Sequence, residues 1–332
     1  MQRPEPETWR GLLKNIISDP REKQRLSELL GVREITLTRW INQDSDPRPQ
    51  NLRNLLNALP QHRERFLDLI REEEGFEEFS NAITDNSLQE IPSQFYTRVF
   101  AARASTTANM RFWSISNLIL QQAIGQLDPD RLGMAINVVR CMVPSDVDEK
   151  VHSLRESVGI GTPPWAGNLE QKAMFLGAES LCGFVVTVCR PAANQNVDDP
   201  QNLIPAHKVE YEKSAAVYPI LYAGRIAGCL LVSSTQHNYF LSLARLALIE
   251  QYANLLALAF EPEDFFEPGS IELRMMPDQQ IQKKYFADFR VRVATTMIDA
   301  ASNKRPVNNI QAEEMVWQQL EKDLLQEAAS IS

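Results

Sequence analysis

The chain has 332 residues, a formal net charge of -9, and 44% hydrophobic against 23% charged residues. That is the balance of ordinary globular domains, two or three of them at this length. An acidic chain of this kind is a poor non-specific partner for nucleic acid. No apolar stretch follows the first arginine of "MQRPEPETWR", so no signal peptide is expected. The most apolar run, 241–260, is interrupted by Arg245, Glu250 and Gln251. A membrane span needs roughly 20 apolar residues, so a buried helix, no membrane partner and a cytoplasmic location are expected.

The first 70 residues read as five short helices. "ETWRGLLKNIIS" sets Trp9, Leu12, Leu13, Ile16 and Ile17 on one face and ends at Asp19-Pro20. "REKQRLSELL" turns Leu26, Leu29 and Leu30 inward and stops at Gly31. "EITLTRWIN" buries Leu37, Trp40 and Ile41. "QNLRNLLNAL" and "QHRERFLDLI" complete the set. An acidic linker over 71–91 follows, and then a long helical pattern from Pro92 to Leu127.

Beyond it the period changes to that of strands. "RLGMAINVVRCMV", "KVHSLRESVG" and "CGFVVTVCR" read as three strands. "SAAVYPILYAGRIAGCLLVSS" reads as a hairpin turning at Ala223-Gly224-Arg225. A helix follows to Phe260, and 261–332 is mostly helical, with Val316, Leu320 and Leu324 as one stripe. The expected fold class is therefore α+β and multidomain. It comprises an all-α domain over 1–70, a linker over 71–91, an antiparallel sheet with flanking helices over 92–260, and a helical extension over 261–332.

Charge divides unevenly between these parts: residues 1–69 carry +2 and the remainder -11. The sign fits an N-terminal module that meets phosphate. Gly31 supplies the left-handed turn between two helices, and Val32 plugs their angle. With Leu37, Trp40 and Ile41 inward, the outer face of the second helix holds Glu34, Ile35, Thr38, Arg39 and Asn42, with Arg33 just ahead. Arginine can grip guanine, isoleucine or threonine can touch a thymine methyl, and glutamate can accept from cytosine. Lys23, Arg25 and Arg48 are candidates for phosphate.

The stretch 23–59, with Leu26, Gly31-Val32, Thr36-Leu37-Thr38-Arg39-Trp40, Pro49 and Leu52/Leu55, resembles the helix-turn-helix of the phage-repressor (Xre) family. It departs at Asn42-Gln43, where the family often has glutamate and a glycine-ended turn. The resemblance implies a transcriptional regulator that binds double-stranded DNA, as a homodimer on an inverted-repeat operator. A helical bundle that docks a protein instead is the alternative.

Residues 215–260 carry Tyr218-Pro219-Ile220, a tight turn, the strand Ile226 to Ser234, Phe240 and a long amphipathic helix. This is similar to the end of a GAF domain. The resemblance implies a small-molecule sensor and dimerisation unit, its ligand held between the sheet and the loops 159–168 and 191–208. Candidate ligand-binding residues are His152, Arg155, Trp165, Cys182 and His207. Each also has a packing or solvated role available, and a pure dimer scaffold stays open. No pattern names a ligand class or cofactor, so the effector is unknown.

Four cysteines (Cys141, Cys182, Cys189, Cys229) lie in apolar runs without a C-x-x-C pair, as buried thiols do. The four histidines show no metal-ligand spacing. Walker, kinase and Gly-x-Ser-x-Gly patterns are missing from the sequence. These readings point away from catalysis.

Overall fold

A computed structural model of the chain describes residues 8–47, 49–59, 62–71, 73, 90–144, 149–169, 174–198 and 210–331. The chain divides into two compact units, residues 1–88 and 89–332.

In the first unit, the described residues form α1 (Trp9–Ile16), α2 (Pro20–Leu30), α3 (Glu34–Ile41), α4 (Pro49–Ala58) and α5 (Arg63–Arg71). Asp19 caps α2 through its carboxylate, with Pro20 at the first helical position. Trp9, Leu13, Leu26, Leu37, Leu52, Leu55 and Phe66 close one core, and Val32 packs against it. Leu29 is 59% exposed, against the expectation that it turns inward. The buried stripe of α2 runs Leu26, Ser27, Leu30, and Leu29 falls on its far side.

The α2–α3 turn is a Schellman ending. Gly31 N–H donates to the Glu28 carbonyl at 3.2 Å, and Val32 N–H to the Ser27 carbonyl at 3.0 Å. Gly31 sits at φ +63° with nothing within 4 Å of where a Cβ would stand. Conformation, and not space, therefore selects glycine here.

The buried Arg10, unsingled by the sequence pattern, ties this unit together. It donates to the Trp40 carbonyl and to Asp46 Oδ1 at 2.6 Å and Glu73 Oε1 at 3.2 Å. Its guanidinium lies 4.4 Å over the Trp9 ring. One side chain thus fixes the end of α3 to α1.

In the second unit, α6 (Ser93–Ser105) and α7 (Ala108–Leu127) precede the sheet. The single long helix expected over 92–127 is broken at Thr106-Thr107, which are extended. Ser105 bonds back to the Ala101 carbonyl at 2.8 Å, and polar β-branched residues are poor at continuing a helix.

The strands are β1 (Met134–Cys141), β2 (Leu154–Gly161), β3 (Phe175–Leu176), β4 (Ala192–Asn194), β5 (Ser214–Tyr222) and β6 (Arg225–Ser234). They pair antiparallel in the order β3-β2-β1-β6-β5-β4. The β5–β6 hairpin turns on Ala223 and Gly224, both at positive φ, which leaves Arg225 as the first residue of β6. Residues 159–161, placed in a loop by the sequence reading, complete β2, and 192–194 form an edge strand.

"CGFVVTVCR" is not a strand. It is α8 (Leu181–Val188), capped by the Ser180 hydroxyl accepting from Gly183 N–H. Its buried residues Leu181, Cys182, Val185 and Val186, beside exposed Phe184 and Val188, have helical spacing.

Alternation on β1 defines two faces. Asn137, Val139 and Cys141 stand on one, the latter two against α8, and Ile136, Val138 and Arg140 stand on the other. The second face is covered by α7 and by α9 (Leu243–Leu256). After α9 the chain bridges to β6 and to Val151. It then forms α10 (Gln279–Phe286), α11 (Phe289–Ser302) and α12 (Asn309–Ile331). Buried Val316, Leu320 and Leu324 join Phe175 in a core beside β3, so this stripe packs within the chain and not on a second copy. Gln282 closes the open edge of β3, donating to the Phe175 carbonyl at 2.9 Å and accepting from Phe175 N–H at 2.8 Å.

Gly31→Ala should destabilise the first unit by about 1 kcal/mol through the left-handed backbone alone, and Gly31→Asn by less. Urea denaturation of both variants checks this.

Candidate functional site

The first candidate surface is the outer side of α3. Leu37 and Trp40 are buried and Ile41 packs partly against the core. Glu34, Arg39 and Asn42 are exposed, as is Arg33 ahead of the helix. Ile35 is 62% exposed in the middle of this polar face. Thr38 is half-buried, and its hydroxyl donates to the Glu34 carbonyl at 3.3 Å. Asn42 ends the helix, and Gln43 takes the left-handed turn (φ 63°) where the family pattern has glycine.

The basic residues around it differ in freedom. Lys23 Nζ lies 3.7 Å from Glu34 Oε2, an exposed pair worth little. Arg25 is exposed, bidentate to Glu22 and within 3.4 Å of the Ala58 carbonyl at the end of α4. Arg48 lies outside the described residues.

The second candidate region is the sheet. The four sequence-predicted ligand residues that are described, His152, Arg155, Trp165 and Cys182, do not share one site there. His152 is in the seam with the segment after α9: its Nδ1 is 2.9 Å from the Glu272 carbonyl, and its own carbonyl accepts from Arg274 N–H. Trp165 packs on Ala135 and Leu169, edge-on to the Tyr211 ring at 6.2 Å. Cys182 is buried against the α8 face of the sheet. Arg155 pairs across strands with Arg140 and so points to the opposite face, stacked 4.4 Å over Trp317. His207 lies outside the described residues, as does most of the second loop, from 199 on.

All four cysteines gather at one core. Cys141, Cys182 and Cys229 are buried in it, and half-buried Cys189 packs against it. Burial pushes the Cys229 thiol well up, and the hydrogen-bonded Cys182 adds to this. Cys141 is raised by burial as well. Burial of this kind disfavours the thiolate at Cys141 and Cys229.

The polar groups on the α8 face that sequence reasoning missed are two glutamates. Glu156 registers with Val139 on β1 and so shares the face of Asn137 and Cys141. Burial pushes its carboxyl up to about 7, with Glu212 adding to the rise. Burial likewise raises Glu212 to about 7, opposed by the hydrogen bond it accepts from the Ser233 hydroxyl. Ser233 faces Ala135 on β1, on the same side. Asn137 lies over Gly159, where a Cβ would meet its Oδ1 at 1.8 Å. The signal was present in "LRESVGIG", where a charged residue occupies an inward strand position.

These groups sit on the face where two protonatable carboxyls, a hydroxyl and an amide can meet a ligand that donates hydrogen bonds or carries positive charge. No cluster of histidine, cysteine or acidic residues among those described could hold a metal ion. No described helix is long and apolar enough to cross a membrane.

No protein-family model matches the chain, and no curated protein matches it. Among solved structures it is similar to the GAF domain of an Acinetobacter phosphoenolpyruvate-protein phosphotransferase, at 15% identity and TM-score 0.34, over 50% of this chain and 90% of that one. It is similar to type II free methionine-R-sulfoxide reductase from Thermoplasma acidophilum, at 17% identity and TM-score 0.33, over 46% and 95%. A third is the GAF domain of a two-component sensor histidine kinase from Bacillus halodurans, at 18% identity and TM-score 0.28, over 42% and 92%. Likenesses of this size carry no argument about this chain's activity.

A carboxyl ionising near 7 when folded and at 4.5 when free contributes stability that is complete below about 4.5 and lost as pH rises through 7. Glu212→Gln removes that loss. At pH 8 the variant should be more stable than wild type by on the order of 2 kcal/mol, and at pH 4 the two should converge. Thermal melting across pH measures this.

Proposed function

We propose that the protein is a sequence-specific DNA-binding transcriptional regulator. Its N-terminal unit reads duplex DNA, and its second unit is a GAF-type sensor and dimerisation domain. The observation that carries the DNA reading is the outer face of α3. Arg39, Glu34 and Asn42 surround an exposed Ile35, on a helix held from behind by Leu37 and Trp40. A recognition helix in the major groove needs that combination of hydrogen-bonding and methyl-contacting groups. Lys23 supports it as a phosphate contact beside the start of α3.

The second unit supports the sensor reading through its own geometry. The Tyr218-Pro219-Ile220 strand, the tight turn, the strand from Ile226 and the helix after Phe240 fall as β5, β6 and α9. The ligand face is that of Glu156, Glu212, Ser233 and Asn137, which suits a small molecule bearing an amine or other donor. Phe100 on α6 and Met110 and Trp113 on α7 are each roughly half exposed, and Leu243 at the start of α9 is 82% exposed. Apolar groups of this kind favour a self-associating helical face. A homodimer presents two reading units to half-sites about 34–36 Å apart, which supplies the affinity one unit lacks.

In vitro selection from random duplexes should return an inverted repeat, and a library without enrichment would reject the DNA reading in favour of a protein-docking bundle. Arg39→Ala should cost about 1–3 kcal/mol at the selected site and relax one base preference. Lys23→Ala should weaken all sequences alike and lower the salt slope by about one. Arg25→Ala should weaken binding less than Lys23→Ala, because that guanidinium must exchange its bonds to Glu22 for a phosphate.

A further inference from the structure

Opposite the glutamate face, β1 and β2 place Arg140 and Arg155 directly across from each other. Like charges at such positions repel, because opposed side chains on one face of a ladder are near neighbours. Arg140 is answered: it donates to Asp264 Oδ1 at 3.1 Å and lies 4.4 Å over the Phe112 ring. Arg155 is not answered in the same way. Among the described residues it forms no ion pair, and its Nε is shut off from solvent without a hydrogen-bond partner. Trp317 covers one face of its guanidinium.

A cleft opens beside this pair. It is lined by Arg140, Arg155, Trp317 and Gln318, by Glu314 on α12 and by the residues just after β1. Burial, and then the charge of Arg140, push the Arg155 guanidinium down to about 9, while Glu314 and Glu313 pull it back. Glu313 is itself held by Asn309 at 2.7 Å. The side chain is still a cation at neutral pH. What the cleft lacks is an acceptor at hydrogen-bond distance.

We propose that this cleft binds a small carboxylate anion, held by the guanidinium groups of Arg155 and Arg140 and the amide of Gln318. A carboxylate presents two oxygens to the planar donor edges of the arginines, with the terminal Nη groups as the donors a ligand in the cleft can reach. Glu314, which also lines the cleft, selects against a second negative charge, so a singly charged acid is favoured over a phosphate dianion. The site lies on the opposite side of the sheet from the glutamates and stands whether or not the chain reads DNA. Because α12 supplies Trp317 and Gln318, an occupied cleft also ties the C-terminal helices to the sheet.

The test uses the full chain and sodium acetate, with sodium chloride at equal ionic strength as reference and inorganic phosphate as the competing anion. Acetate should raise the melting temperature with saturation, and chloride and phosphate should not. Arg155→Met should abolish the acetate response. It should also raise the melting temperature without acetate, because a cation facing Arg140 with its Nε left without an acceptor has been removed. Glu314→Gln should tighten acetate binding about fivefold, the effect of one nearby like charge in a wet environment. Equal acetate responses in wild type and Arg155→Met would overturn the proposal, as would saturable phosphate binding tighter than acetate. Should Arg155→Met not fold, an unchanged acetate affinity in Glu314→Gln overturns it alone.

Discussion

The second unit depends on one ladder, the antiparallel pairing of β1 with β6 from Met134↔Ser234 to Arg140↔Gly228. On one side of it, β3-β2-β1 form a set of near neighbours in sequence. On the other, β6-β5-β4 form a second set. Among the described residues this ladder alone makes them one sheet, and it closes a long loop whose entropy must be met before any contact repays it. Its geometry is tight where it ends. A Cβ at Gly228 would lie 2.0 Å from the Val139 carbonyl, and the residue stands at φ +147°. Glycine is required there by both backbone and space.

That ladder also assigns every inward residue to a face. Since side chains alternate, fixing Val139 opposite Cys229 sends both toward α8 and sends Arg140 toward the far side. Cys182 and the glutamates then follow on the α8 face, and Arg155 follows Arg140. The ligand residues named from sequence could not be sorted this way. Nothing in a single chain reveals that Arg155 and Trp165 belong to opposite sides of one layer.

Local signals were legible and non-local ones were not. The helices of the first unit show in the spacing of Leu12, Leu13, Leu26, Leu37 and Leu52, because a core on one side imposes the helical period. Leu29 escaped because α2 buries a narrow stripe and leaves one leucine in water. The hairpin at Ala223-Gly224 shows because two consecutive positive-φ residues are written as small residues. "CGFVVTVCR" failed for the opposite reason. Its β-branched residues favour a strand in isolation, but the Ser180 cap and packing on the sheet override that preference. Gln282 and Arg10 left no local trace, since each is polar and buried only because of residues distant in sequence.

The adjacency of Arg155 and Glu156 shows most directly how this architecture creates chemistry. Neighbouring opposite charges on an exposed loop would screen each other in water. In a strand they point to opposite faces, and here the sheet backbone stands between them. Each then has a group of its own sign as a near neighbour: Glu156 has Glu212, and Arg155 has Arg140. The glutamates can lower the cost by binding protons near neutral pH. An arginine cannot shed its charge so easily, and Trp317 offers it a π-face but no acceptor oxygen. The two faces therefore make different demands on solution, protons or a cation on one side and an anion on the other. One strand, by alternating, separates two chemistries that the sequence writes side by side.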